Sequence, residues 1–166
     1  MKKRFWLFLI LTVSIMVVIF CFSAQTATES SGMSMGFIRT VLHKWLIGFM
    51  SVESAETIES GIETVVRKGA HFSIYMCLGF CSAMTLYYSE KVNKKCILFV
   101  ITLIFCIFYA STDEVHQLFV PGRSGEIRDV LIDSGGSATG ILLSMLACKI
   151  ASALKKKLSK LFIKAD

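Results

Sequence analysis

Charge is missing from four long stretches of this chain and crowded between them, and nothing else in the sequence restricts the fold as strongly. The first stretch, Phe5 to Phe22, holds eighteen residues without a charge and follows Lys2, Lys3 and Arg4. A helix needs roughly 17–25 such residues to cross the hydrocarbon core of a bilayer. A cleaved signal peptide competes for this segment, because Ala24 and Ala27 follow a basic start. Its apolar run exceeds the roughly 7–15 residues of a signal core, however, and an uncleaved spanning helix is expected. Further spans are expected over about 69–88, 96–117 and 129–153. At 54% hydrophobic and 18% charged, the chain departs from the make-up of a water-soluble domain, which averages about a quarter charged. With 166 residues there is room for one domain, an all-α integral membrane unit of four spans.

The loop between the first two spans is neither a span nor a plain linker. Phe37, Ile38, Val41, Leu42, Trp45, Leu46 and Phe49 recur at helical spacing with Arg39, His43 and Lys44 between them, which predicts an interfacial amphipathic helix over about 34–50. His43 reads as a solvated face residue. Ala55, Ile58, Ile62 and Val65, interspersed with Glu53, Glu56, Glu59 and Glu63, predict a second helix over about 53–66 that runs on into the second span. Residues 154–166 form a basic tail. The six cysteines lie in or beside apolar segments, without a CxxC pair or a cysteine–histidine metal spacing, and read as small hydrophobes.

Positive charge orients the spans. With the N-terminus in the cytoplasm, twelve of the eighteen cations fall on the inner side against two acids, Glu90 and Asp166. The outer side then holds six cations against ten acids, a distribution that follows the positive-inside rule. Both termini are expected in the cytoplasm of a multi-pass protein of the cell membrane. The formal net charge of +6 is thus an inner-leaflet anchor and excludes a nucleic-acid reading.

Three helix ends meet at the outer side in this orientation. Lys68, His71 and Tyr75 share a face at the start of the second span. Asp113, Glu114, His116 and Gln117 close the third. Asp129 and Asp133 open the fourth, followed one turn apart by Gly136 and Gly140, while Arg123 and Arg128 flank the connecting turn at Pro121-Gly122. Ionisable groups are costly at bilayer depth, so these are expected to face one another or a wet cleft. Gly136 and Gly140 form a small-xxx-small patch that admits a close helix crossing. A histidine beside carboxylates can move protons, the same groups can bind a divalent cation, and the cations can hold a phosphate or carboxylate. The sequence carries no HExxH, GxSxG or phosphate-binding glycine loop to choose between these chemistries. A polar network that merely joins helices explains the same residues. The fourth, second and third spans are expected to form the functional bundle, with the first peripheral.

Arg67-Lys68-Gly69-Ala70-His71-Phe72 with Tyr75, then Asp113-Glu114-Val115-His116-Gln117 through Pro121-Gly122-Arg123, then Arg128-Asp129 through Asp133, Gly136 and Gly140 resemble the VanZ-like family of bacterial membrane proteins. Phe22-Ser23-Ala24-Gln25 is similar to the family's exit from its first span. The resemblance implies a Gram-positive envelope protein of a family associated with low-level resistance to glycopeptide antibiotics such as teicoplanin. The leading expectation is a protein that binds or modifies an envelope lipid, wall precursor or glycopeptide at the outer interface. Its enzymatic form uses His71 or His116 as acid/base with Glu114 and Asp129 orienting it. A metal would draw on His71, Asp113, Glu114, His116 and Asp129. Lys68, Tyr75, Gln117, Arg123 and Asp133 form the expected binding set. The alternatives are a small transporter or proton-coupled accessory, and a non-catalytic partner of wall-synthesis machinery.

Overall fold

A computed structural model describes residues 2–26, 28, 32, 36, 52–92 and 94–163. Among these residues the fold is four long helices without a strand: α1 (Lys2–Ser23), α2 (Val52–Tyr88), α3 (Lys95–Gln117) and α4 (Ile127–Ile163). All four are long and apolar enough to cross a membrane, and the chain is a multi-pass membrane protein by that criterion. The interfacial helix expected over 34–50 lies outside the described residues. The helix expected over 53–66 is the first part of α2, with no break at Lys68-Gly69. At a rise of 1.5 Å per residue, the 37 residues of α2 and of α4 extend about 55 Å each, well beyond a hydrocarbon core of about 30 Å. The basic tail is correspondingly the last turns of α4, helical to Ile163.

Glycine sets the central crossing, where α2 and α4 touch backbone to backbone. A Cβ on Gly136 would collide with the Phe72 carbonyl, one on Gly140 with the Met76 carbonyl, and one on Gly79 with the Ser137 carbonyl. The small-xxx-small stripe thus serves the close approach expected of it, and Gly79 supplies the matching notch on α2. The Ser137 hydroxyl sits in the same seam and donates to the Tyr75 carbonyl at 3.4 Å. Around the seam, Tyr75, Leu78, Cys106 and Ala110 with Ile19 make one apolar cluster, and Ala83, Leu98 and Ile141 make another. Trp6, Ile10, Val17, Ile104, Phe108, Leu142 and Leu146 point outward, as residues facing lipid should.

Contacts at the helix ends fix which termini share a side. Arg4 donates to the Tyr88 hydroxyl at 3.3 Å and Phe8 stacks on Tyr88, joining the start of α1 to the end of α2. At the opposite end, Lys68 reaches the start of α4 and Arg123 reaches the end of α1. All six cysteines are free.

Candidate functional site

The end of the bundle where α1 and α3 finish and α4 begins is built around a tight turn. Val120 to Arg123 forms a β-turn closed by the Arg123 N–H donating to the Val120 carbonyl at 3.1 Å. Pro121 and Gly122 occupy its centre, and Gly122 takes a φ of 75°, which only glycine adopts without strain. Glu114 braces this turn from below. One of its oxygens accepts from the Glu126 N–H at 2.8 Å, just before α4 starts, and the other accepts from the Gln117 amide at 3.1 Å. Gln117 also donates to Asp113 at 3.3 Å, so one amide holds two buried carboxylates together. Gly125 fits tightly beneath, since a Cβ there would come within 2.8 Å of the Glu114 carbonyl.

Arg123 turns away from these acids for its direct bonds. Its Nε donates to the Gln25 carbonyl at 3.3 Å and one terminal nitrogen donates to the Phe22 carbonyl at 3.2 Å. The expectation that α1 is peripheral is therefore corrected: its C-terminal end anchors the turn that shapes the site. Main-chain carbonyls have no sequence signature, which is why this tie was not visible in the residues. Burial and the neighbouring Arg67 depress the Arg123 pKa, against the raising influence of Asp113, Glu114 and Asp129.

A cavity of about 160 Å³ opens beside the turn, lined by Arg67, Lys68 and His71 from α2, Gln117 from α3, Gly122, Arg123, Ser124 and Glu126 from the connection, and Asp129, Ile132 and Asp133 from α4. Lys68 donates to Asp129 at 2.7 Å and lies 4.0 Å from Glu126. Deeper, His71 Nδ1 stands 3.8 Å from an Asp133 oxygen, within ion-pair reach but beyond a hydrogen bond. Asp133 is fully buried, and neither of its oxygens has a hydrogen-bond partner among the described residues. The buried Tyr75 hydroxyl and His71 Nδ1 are likewise unpartnered.

Of the residues singled out from the sequence, Lys68, His71, Gln117, Arg123, Asp129 and Asp133 line one cavity. Asp113 and Glu114 stand behind it as the Gln117 clamp, and Tyr75 lies buried in the core. His116 does not join them. Its ring stacks on Phe20 at 4.7 Å and its Nδ1 is 3.4 Å from the Ser23 hydroxyl. Helical rotation explains the separation: two residues on from Glu114, a side chain points about 160° away around α3. The carboxylate nearest His71 is Asp133 rather than Glu114 or Asp129, whose oxygens are taken by Gln117 and Glu126 and by Lys68. No three His, Cys, Asp or Glu side chains among the described residues come together as a metal-holding group. The set His71, Asp113, Glu114, His116 and Asp129, drawn from α2, α3 and α4, therefore does not converge on a common point. Arg67, Gly122, Ser124, Glu126 and Ile132 line the cavity without having been given a site role from the sequence, although Arg67 stands one helical turn before His71 and so shares its face.

A model of the VanZ/LLP1 family matches residues 8–148, a stretch that holds the helix crossing, the turn and every residue lining the cavity. No curated protein and no solved structure matches the chain. The match covers most of the sequence, and the chain belongs to the VanZ/LLP1 family.

Proposed function

We propose that this VanZ/LLP1 protein binds, and in its enzymatic form modifies, the polar head of an amphiphilic envelope molecule such as a lipid, a lipid-linked wall precursor or a glycopeptide. The observation that carries the reading is the cavity itself. It lies at one end of a membrane-spanning bundle, gathers side chains of both charges from three segments, and is held open by a turn braced through Glu114 and Arg123. Helix packing alone needs no such opening. A headgroup at the interface can enter it while its apolar part stays among the outward-facing side chains of the helices.

His71 is the group suited to proton transfer here, because Asp133 faces its Nδ1 and leaves the other ring nitrogen for the cavity. Asp133 positions the ring. We place the cavity on the extracytoplasmic side, with both termini in the cytoplasm, because the opposite end of the bundle carries Lys2, Lys3, Arg4, Lys91, Lys94, Lys95, Lys149 and Lys155 to Lys157. An effect on glycopeptide susceptibility follows if the molecule handled is a wall precursor or the antibiotic.

Profiling the lipids and wall precursors of a deletion strain, alongside its teicoplanin susceptibility, tests the reading. A change in at least one species that the wild-type gene reverses is expected. Identical profiles and identical susceptibility would end it. The orientation has a separate check: a cysteine at Ser124 should react with a membrane-impermeant maleimide in intact cells, and one at Asn93 should not.

A further inference from the structure

Two guanidinium groups line the cavity without a direct ion pair to an acid among the described residues. Arg67 lines it from α2 and has no hydrogen-bond or ion-pair partner among the described residues. Arg123 lines it from the turn, and its direct bonds go to main-chain carbonyls. Lys68, which also lines the cavity, is already matched by Asp129 at 2.7 Å. Like charges gathered this way favour an anion, and the flat fork of a guanidinium suits the paired oxygens of a phosphate or carboxylate.

The floor of the cavity asks for the opposite. Asp133 presents two buried oxygens without a donor, and His71 Nδ1 stands beside them equally unsatisfied. Buried polar groups left unpaired are costly, so the arrangement favours an occupant that brings an N–H or O–H donor. We propose that the occupant is a phosphodiester headgroup bearing an N–H or O–H donor a few bonds beyond the phosphorus. Its phosphoryl oxygens lie on Arg67 and Arg123, and its donor is delivered to Asp133 and His71. The proposal rests on the reading of the cavity as a headgroup site and adds the class of headgroup. Inorganic phosphate would satisfy the arginines and leave the floor untouched. A trimethylammonium head would bring charge and no donor.

Calorimetric titration of the full chain in dodecyl maltoside micelles tests this, with dihexanoyl phosphatidylethanolamine, phosphatidylglycerol, phosphatidylcholine and inorganic phosphate as probes. The first two should bind about tenfold more tightly than the last two, the scale of one hydrogen bond to a charged group. Arg67→Gln should weaken every phosphate-bearing probe by about tenfold. Asp133→Leu, which fills similar space without an acceptor, should abolish the preference over phosphatidylcholine and leave the affinity for inorganic phosphate as it was. Equal binding of phosphatidylcholine and phosphatidylethanolamine, or an Arg67→Gln protein that binds like wild type, would overturn the proposal. Inorganic phosphate binding as tightly as the lipids would overturn the headgroup assignment in favour of the free anion. A folded Arg67→Gln variant keeps the test valid should Asp133→Leu fail to assemble. Failure in micelles with an altered deletion-strain profile would remove this inference and leave the broader function standing. An unchanged profile with full discrimination in micelles would do the reverse.

Discussion

The two ends of the bundle carry similar numbers of charged residues and treat them in opposite ways. At the end formed by the start of α1, the α2–α3 connection and the last turns of α4, the cations Lys91, Lys94, Lys95, Lys149 and Lys155 to Lys157 are all exposed, and no ion pair forms there among the described residues. At the other end Asp113, Glu114, Gln117 and Asp133 are buried, and Lys68 is paired with Asp129. Solvated lysines cost the fold little and suit an anionic leaflet. Gln117 and the Glu126 N–H hold Asp113 and Glu114, whereas Asp133 faces His71 at the floor of the cavity with its oxygens unpartnered among the described residues. The difference separates charge left exposed at one end from charge drawn into the bundle around a cavity at the other.

The largest effect should come from forcing apart the crossing on which the polar end depends. Gly140→Leu places a side chain against the Met76 carbonyl, and overpacking against rigid backbone costs about 3 kcal/mol or more. Fluorescence-detected size exclusion should then show aggregated protein in place of the monodisperse peak. A normal peak would mean that α2 and α4 do not cross as closely as described.

Glu114→Ala should act at the polar end alone. It strands the Glu126 N–H and frees Gln117, at a cost of about 1–3 kcal/mol. Amide exchange over residues 118–126 should accelerate while the α2–α3 connection stays as protected as before. Smaller still is the contribution of Lys68 and Asp129, a pair whose side chains remain 30% and 26% exposed. A double-mutant cycle with Lys68→Ala and Asp129→Ala, read by thermal unfolding in detergent, should give a coupling of about 0.5–1 kcal/mol. The lysine end should respond least: replacing Lys155, Lys156 and Lys157 with Ala should shift stability in detergent by no more than about 0.5 kcal/mol. Loss of folding in that triple variant would erase the contrast between the ends.

The helical architecture was legible because hydrophobic run length reads directly as span length, although the helices holding the second and fourth spans extend well beyond the apolar runs, to Val52 and to Ile163. The crowding of charge at one end was legible too, since alternating spans leave no choice about which termini meet. Helical spacing placed Lys68, His71, Asp129 and Asp133 on their faces correctly. It could not say how far α3 is rotated against its neighbours, so His116 was grouped with acids it does not meet and Asp133 was not recognised as the partner of His71. Gly79 went unread because a single glycine on α2 has no spacing to announce it, whereas Gly136 and Gly140 announce each other. The role of α1 depends on the carbonyls of Phe22 and Gln25, which any residue would supply.

A ligand site and a polar brace diverge most sharply at His71, whose side chain is 24% exposed and accepts no hydrogen bond that the fold depends on. The decisive measurement is the membrane abundance of a His71→Ala protein together with the lipid and wall-precursor profile of the strain that carries it. Near-wild-type abundance with the profile of the deletion strain is expected. A wild-type profile at normal abundance, or a profile change that merely tracks loss of the protein, would contradict a functional site at the polar end.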